Sequence, residues 1–122
     1  MRRSAIAAAL AGLAFAAQAS VIDIVWNAEQ RFEQLIEIKP GATAELCGRL
    51  PAGARVRWSY ESPVALDFNV HYHVGQDVQF PVKHDATAHS DGTLAVTLAQ
   101  DYCWMWTNAS GPAARLRVRL AR

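Results

Sequence analysis

Strict alternation of apolar and polar residues is what most constrains this chain. Leu66, Phe68, Val70, Tyr72 and Val74 alternate with Asp67, Asn69, His71 and His73. A period of two gives a strand one buried and one solvated face, and it scatters apolar residues all round a helix. A second clean run sets Ala54, Val56, Trp58 and Tyr60 against Arg55, Arg57, Ser59 and Glu61. Shorter apolar segments follow the same rule: Phe32 to Ile38, Thr43 to Leu50, Val78 to Val82, Leu94 to Leu98, Tyr102 to Asn108 and Leu116 to Leu120.

Turn residues punctuate these runs. Pro40-Gly41, Pro51-Ala52-Gly53, Ser62-Pro63 and Gly75-Gln76-Asp77 each stand where one strand is expected to end. Lys83 to Gly92 reads as the one long polar loop, and Val21 to Trp26 as an edge strand or a tether. No amphipathic helix is visible, so no crossover is available for parallel strands. The expected fold is all-β: an antiparallel β-sandwich, jelly-roll-like, of about eight short strands.

The first residues bear on compartment. Arg2 and Arg3 precede an apolar stretch from Ala5 to Ala17, and Ala17-Gln18-Ala19 has the small-x-small form of a signal peptidase site. Residues 1–19 are therefore expected to be a cleaved signal peptide, leaving 20–122 as a single domain in the periplasm or outside the cell. Without Arg2 and Arg3, the 12 Lys and Arg fall to 10 against 11 Asp and Glu, a net charge of −1. That balance excludes a polyanion such as nucleic acid as the expected partner. The chain has 2 cysteines, Cys47 and Cys103, and an oxidising compartment makes a disulfide between them the default.

Several of these residues together resemble a known family. Cys47, the turn at Gly53, the strand Val56-Arg57-Trp58-Ser59-Tyr60, the strand Leu66-Asp67-Phe68-Asn69-Val70, Gly92 and Tyr102-Cys103-Trp104 through Asn108 resemble the GOLD (Golgi dynamics) domain over about residues 30–121. That resemblance implies a β-sandwich whose two cysteines pair between an early and a late strand, and a non-catalytic, protein-binding role. In secretory-pathway cargo receptors the domain is joined to a transmembrane helix, a coiled coil and a cytoplasmic tail. This sequence shows none of them, so the receptor role is not carried over.

Three constellations are candidates for chemistry. His71 and His73 stand two apart on a strand, so both imidazoles share a face, an arrangement that suits copper or zinc. His84 and His89, from the expected loop, are candidates to complete such a site. Tyr102, Trp104 and Trp106 alternate with Cys103 and Met105. If the disulfide points into the core, Trp104 and Trp106 face outward as a binding platform; otherwise they are core. Arg115, Arg117 and Arg119 line one face of the last strand, as an anion-binding stripe or as a solvated face that resists edge pairing. Arg55 and Arg57 join them if the two strands are neighbours.

Catalytic signatures such as G-x-S-x-G, a Walker loop, G-x-G-x-x-G and H-E-x-x-H are absent. Asn108-Ala109-Ser110 matches a glycosylation sequon. The expected function is an exported, non-catalytic module that binds a protein or small ligand through one sheet face. The alternative is a small periplasmic protein that binds copper or zinc through His71 and His73.

Overall fold

The computed structural model describes residues 19–122; the expected signal peptide, apart from Ala19, lies outside them. Seven strands and no helix make up the described residues: β1 (Ala19–Asp23), β2 (Arg31–Ile38), β3 (Thr43–Leu50), β4 (Arg55–Val74), β5 (Asp77–Ala95), β6 (Gln100–Thr107) and β7 (Ala114–Ala121). They form one connected sheet in the order β1-β3-β6-β4-β7-β2, with β5 also on β4.

Strand β4 organises the molecule. Its first arm pairs with β7 from Arg57 to Glu61, and its second pairs with β6 from Asp67 to His71. Strand β5 runs antiparallel along both arms. Ser62-Pro63, expected to end a strand, instead marks the bend between the arms. Proline has no N–H to give the ladder, the Ser62 hydroxyl accepts the Val64 N–H at 3.2 Å, and the β5 register shifts between Glu61 and Leu66.

The expected loop from Lys83 to Gly92 is likewise strand, within β5. Its polar composition reflects a strand exposed over most of its length. Ala86 there adopts a positive φ of 52° and donates its N–H to Asp67 Oδ1 at 2.9 Å, so the side chain of β4 holds the irregular backbone of β5. Two expected strands thus merge into β4 and two into β5. Residues 19–23 add an edge strand that pairs parallel to β3, so the sheet is mixed and not wholly antiparallel.

The inward side chains of the two arms meet. Val56, Trp58 and Tyr60 come from one arm of β4, and Leu66, Phe68 and Val70 from the other. Phe68 stacks on Trp106 with centroids 5.4 Å apart, and Tyr60 meets Trp106 edge-on at 5.6 Å. Both Trp104 and Trp106 are 0% exposed, which corrects the expectation of a binding platform on them. Alternation along β6 leaves only one side for the large aromatics, and they take the apolar one. The indole N–H groups of Trp58, Trp104 and Trp106 find no hydrogen-bond acceptor among the described residues, a polar cost carried inside the aromatic core.

Trp58 lies against Gly92, its cross-strand partner on β5. A Cβ at Gly92 would run into the indole ring, so only glycine lets the ring lie flat there. Asn108 is fully buried. Its amide donates to the Ile38 and Pro112 carbonyls at 2.9 and 2.8 Å, tying the ends of β2 and β6 to the loop before β7. That nitrogen is the atom a glycan would need, so the sequon is structural.

Candidate functional site

The alternation that buries Trp104 and Trp106 turns Cys103 and Met105 to the outer side of the sheet. Register then places side chains in rows across neighbouring strands. One row runs Asp23, Cys47, Cys103, His71 over β1, β3, β6 and β4. The next runs Val21, Glu45, Met105, Asn69 over the same strands. The expected disulfide joins Cys47 to Cys103, opposite each other with Cα atoms 4.2 Å apart, and no free cysteine remains.

His71 is not a solvated residue. It is 5% exposed, with Nδ1 2.7 Å from Asn69 Oδ1 and Nε2 3.3 Å from Glu45 Oε1. The second contact has the geometry of an ion pair, but burial pushes the imidazole pKa below its ordinary value, against the pull of Glu45 and reinforced by His73. Desolvation is the larger effect. The Asn69 acceptor fixes a proton on Nδ1, and Nε2 faces the carboxylate.

The four histidines do not assemble. His71 and His73 share the outer side, their rings 5.4 Å apart and edge-on. His84 stacks on Phe68 at the core side, with centroids 6.4 Å apart. His89 stands opposite Glu61 on the other arm of β4. Both are carried by β5, not by a loop free to close round, which corrects the expected set of four. Among the described residues, the grouping of potential ligand atoms that does form is Glu45, His71 and Cys103, all within 4.8 Å of one another. Glu45 was missed in the sequence because only the β3–β6–β4 register brings it to His71.

The second outer surface belongs to β2, β7, the first arm of β4 and the second half of β5. Its rows are Glu33, Arg119, Ser59, Asp91 and Leu35, Arg117, Glu61, His89. The condition for Arg55 and Arg57 to join the arginines of β7 is met, since β4 and β7 are paired. Glu33 Oε1 lies 3.5 Å from Arg119 Nε and 4.0 Å from Arg117 Nε. Arg57 and Arg115 have no carboxylate within 4.0 Å among the described residues.

This surface is also concave. A groove of about 520 Å³ crosses it, lined by Arg31, Glu33, Arg57, Ser59, Asp91 and Arg119 among others. A second hollow of about 300 Å³ adjoins it, between Glu61, His89, Asp91, Arg117 and Arg119.

The fold is shared with solved proteins. Aeromonas hydrophila PliG, a periplasmic lysozyme inhibitor of g-type lysozyme, is similar over 87% of this chain and 98% of its own, with a TM-score of 0.65 and 12% identity. The pre-peptidase C-terminal domain of collagenase from Bacillus anthracis is similar over 88% of this chain and 98% of its own, with a TM-score of 0.62 and 9% identity. No protein-family model matches the chain, and no curated protein matches it. Such identities establish a common fold and nothing finer. Among the described residues no helix is long and apolar enough to cross a membrane.

Proposed function

We propose that this chain is an exported, non-catalytic module that binds another protein through the outer surface of β2, β7, the first arm of β4 and the adjoining half of β5. The observation that carries this is the groove over Arg57, Arg119, Glu33 and Asp91, where charges of both signs converge and Arg57 lacks a carboxylate partner of its own. Mixed, incompletely paired charge around a concavity suits a complementary protein surface better than a polyanion. The two arms of β4 serve as the packed layers of a β-sandwich, the architecture that the GOLD resemblance also implies.

Three facts support the extracytoplasmic setting: the signal-peptide pattern, the disulfide and the periplasmic location named for the structurally similar PliG. PliG is a lysozyme inhibitor by name, which supports a protein as the partner; the second similar structure is by name a domain of a collagenase. The rival function, copper or zinc held by His71 and His73, loses His84 and His89 as ligands.

Photo-crosslinking in the producing cell tests the proposal. A photoreactive residue replaces Arg57, Ser59 or Asp91 in the groove, or Thr43 or Arg49 on the opposite outer surface. Discrete protein adducts are expected from the groove positions and not from the others. Adducts from Thr43 and Arg49 alone, or from no position, would overturn the assignment of this surface.

A further inference from the structure

We propose that reduction of the Cys47–Cys103 disulfide turns the outer side of β3, β6 and β4 into a four-coordinate zinc site made by Cys47, Cys103, His71 and Glu45. This site does not depend on the protein-binding groove, which lies on the other arm of β4.

The ligands are already gathered. Cys47, Cys103 and His71 are successive members of one cross-strand row, and Glu45 belongs to the neighbouring row. A carboxylate oxygen of Glu45, a ring nitrogen of His71 and Cys103 Sγ lie within 4.8 Å of one another. Two donor atoms, each about 2.0–2.1 Å from a tetrahedral zinc, stand roughly 3.4 Å apart. The observed separation of His71 Nε2 and Glu45 Oε1 is 3.3 Å.

The tautomer is set for the same purpose. Asn69 Oδ1 accepts the Nδ1 proton at 2.7 Å, which turns Nε2 towards the Glu45 carboxylate. An amide that orients a ligating imidazole is a usual outer partner of metal sites.

In the oxidised chain each sulfur is bonded to the other, so neither offers a thiolate and only one nitrogen and one carboxylate remain. A dithiol reductant supplies the two electrons: the S–S bond breaks, two thiols form, and the dithiol closes to its own disulfide. Zinc then displaces the two thiol protons and binds both sulfurs. Two sulfurs, one imidazole and one carboxylate suit zinc and do not suit calcium or magnesium, which take oxygen ligands.

The test uses the full mature chain, first with its disulfide intact, then reduced by a dithiol and freed of it without oxygen. Zinc alone is titrated against a chromophoric chelator, and cobalt(II) is substituted to read the ligands. The reduced chain is expected to bind a single zinc far more tightly than the oxidised chain, and its cobalt form to show intense sulfur-to-cobalt absorption with tetrahedral bands. His71→Gln and Glu45→Gln are each expected to weaken the reduced site about tenfold or more, whereas His73→Ala leaves it unchanged.

Two cysteines in an unfolded chain also bind zinc, so near-ultraviolet circular dichroism of the buried tryptophans is followed in parallel. The zinc-bound reduced chain is expected to keep that signal. Equal affinity in the two oxidation states, indifference to His71→Gln, or a zinc complex that has lost the tryptophan signal would overturn the proposal.

Discussion

The two outer surfaces that share β4 are built in opposite ways. On the second arm, short side chains crowd one another: Asn69, Cys103 and Glu45 surround His71, and the Phe80 ring approaches it to 5.9 Å. Polar groups there are half-buried, hydrogen-bonded and stapled covalently. On the first arm, Arg57, Arg117, Arg119 and Glu61 reach into solvent on long stems, and the pairing of Arg117 and Arg119 with Glu33 is loose. Burial decides what each polar group contributes: a desolvated contact is costly to lose, and a solvated one is screened. One surface is therefore expected to hold the fold and the other to be free to meet a partner.

The largest effect expected from this contrast is on the staple. Replacing both Cys47 and Cys103 by Ala frees residues 56 apart in sequence, and the loop-closure entropy returned to the unfolded chain is about 4 kcal/mol. Urea unfolding should show a loss of that order, a large part of the stability of a small domain. A loss below about 1 kcal/mol would mean that the β3–β6 ladder holds without the bridge, and the contrast between the surfaces would largely vanish.

Much of the fold was legible because alternation is a local signal. Trp58, Tyr60, Phe68 and Val70 were set on one face of their strands by period alone, and all are buried. The disulfide followed from cysteine number and the expected compartment. What was not legible depended on partners distant in sequence. Ser62-Pro63 has the composition of a turn, and only the neighbours of β4 make it a bend within one strand. The side of β6 that faces the core was open, because both Cys103 and Trp104 are residue types that bury. His71 and His73 look equivalent in sequence, yet only His71 lies opposite Cys103 and within reach of Glu45.

A smaller effect is expected from the burial of His71, and it has a definite sign. Its pKa is lowered in the folded chain, while the unfolded chain titrates near about 6.5. Above that value neither state binds the proton and stability is unaffected. As pH falls below it, the unfolded chain takes up a proton that the folded chain resists, so stability is lost until the folded pKa is reached. Glu45 opposes this shift and His73 adds to it. Unfolding measured in a chelator from pH 7 to 5 should show wild type losing more stability than His71→Gln. Parallel curves would place His71 among the solvated residues.

The smallest effect is expected on the other arm. Glu33 bridges Arg117 and Arg119, but its side chain is 57% exposed and both contacts lie at 3.5–4.0 Å. Water and salt compete for all three groups, and two arginine stems lose freedom in making the contacts. Glu33→Gln should therefore change stability by no more than about 0.5–1 kcal/mol, and the change should shrink further as salt is raised. Its effect on partner adducts should be the larger one, since loss of that carboxylate would leave Arg119 in the groove and Arg117 in the adjoining hollow without their acidic partner. If unfolding in high salt still showed a loss comparable to that of the disulfide, the charged ladder would be holding the sheet together. It would then be poorly suited to exchange its internal contacts for those of a partner.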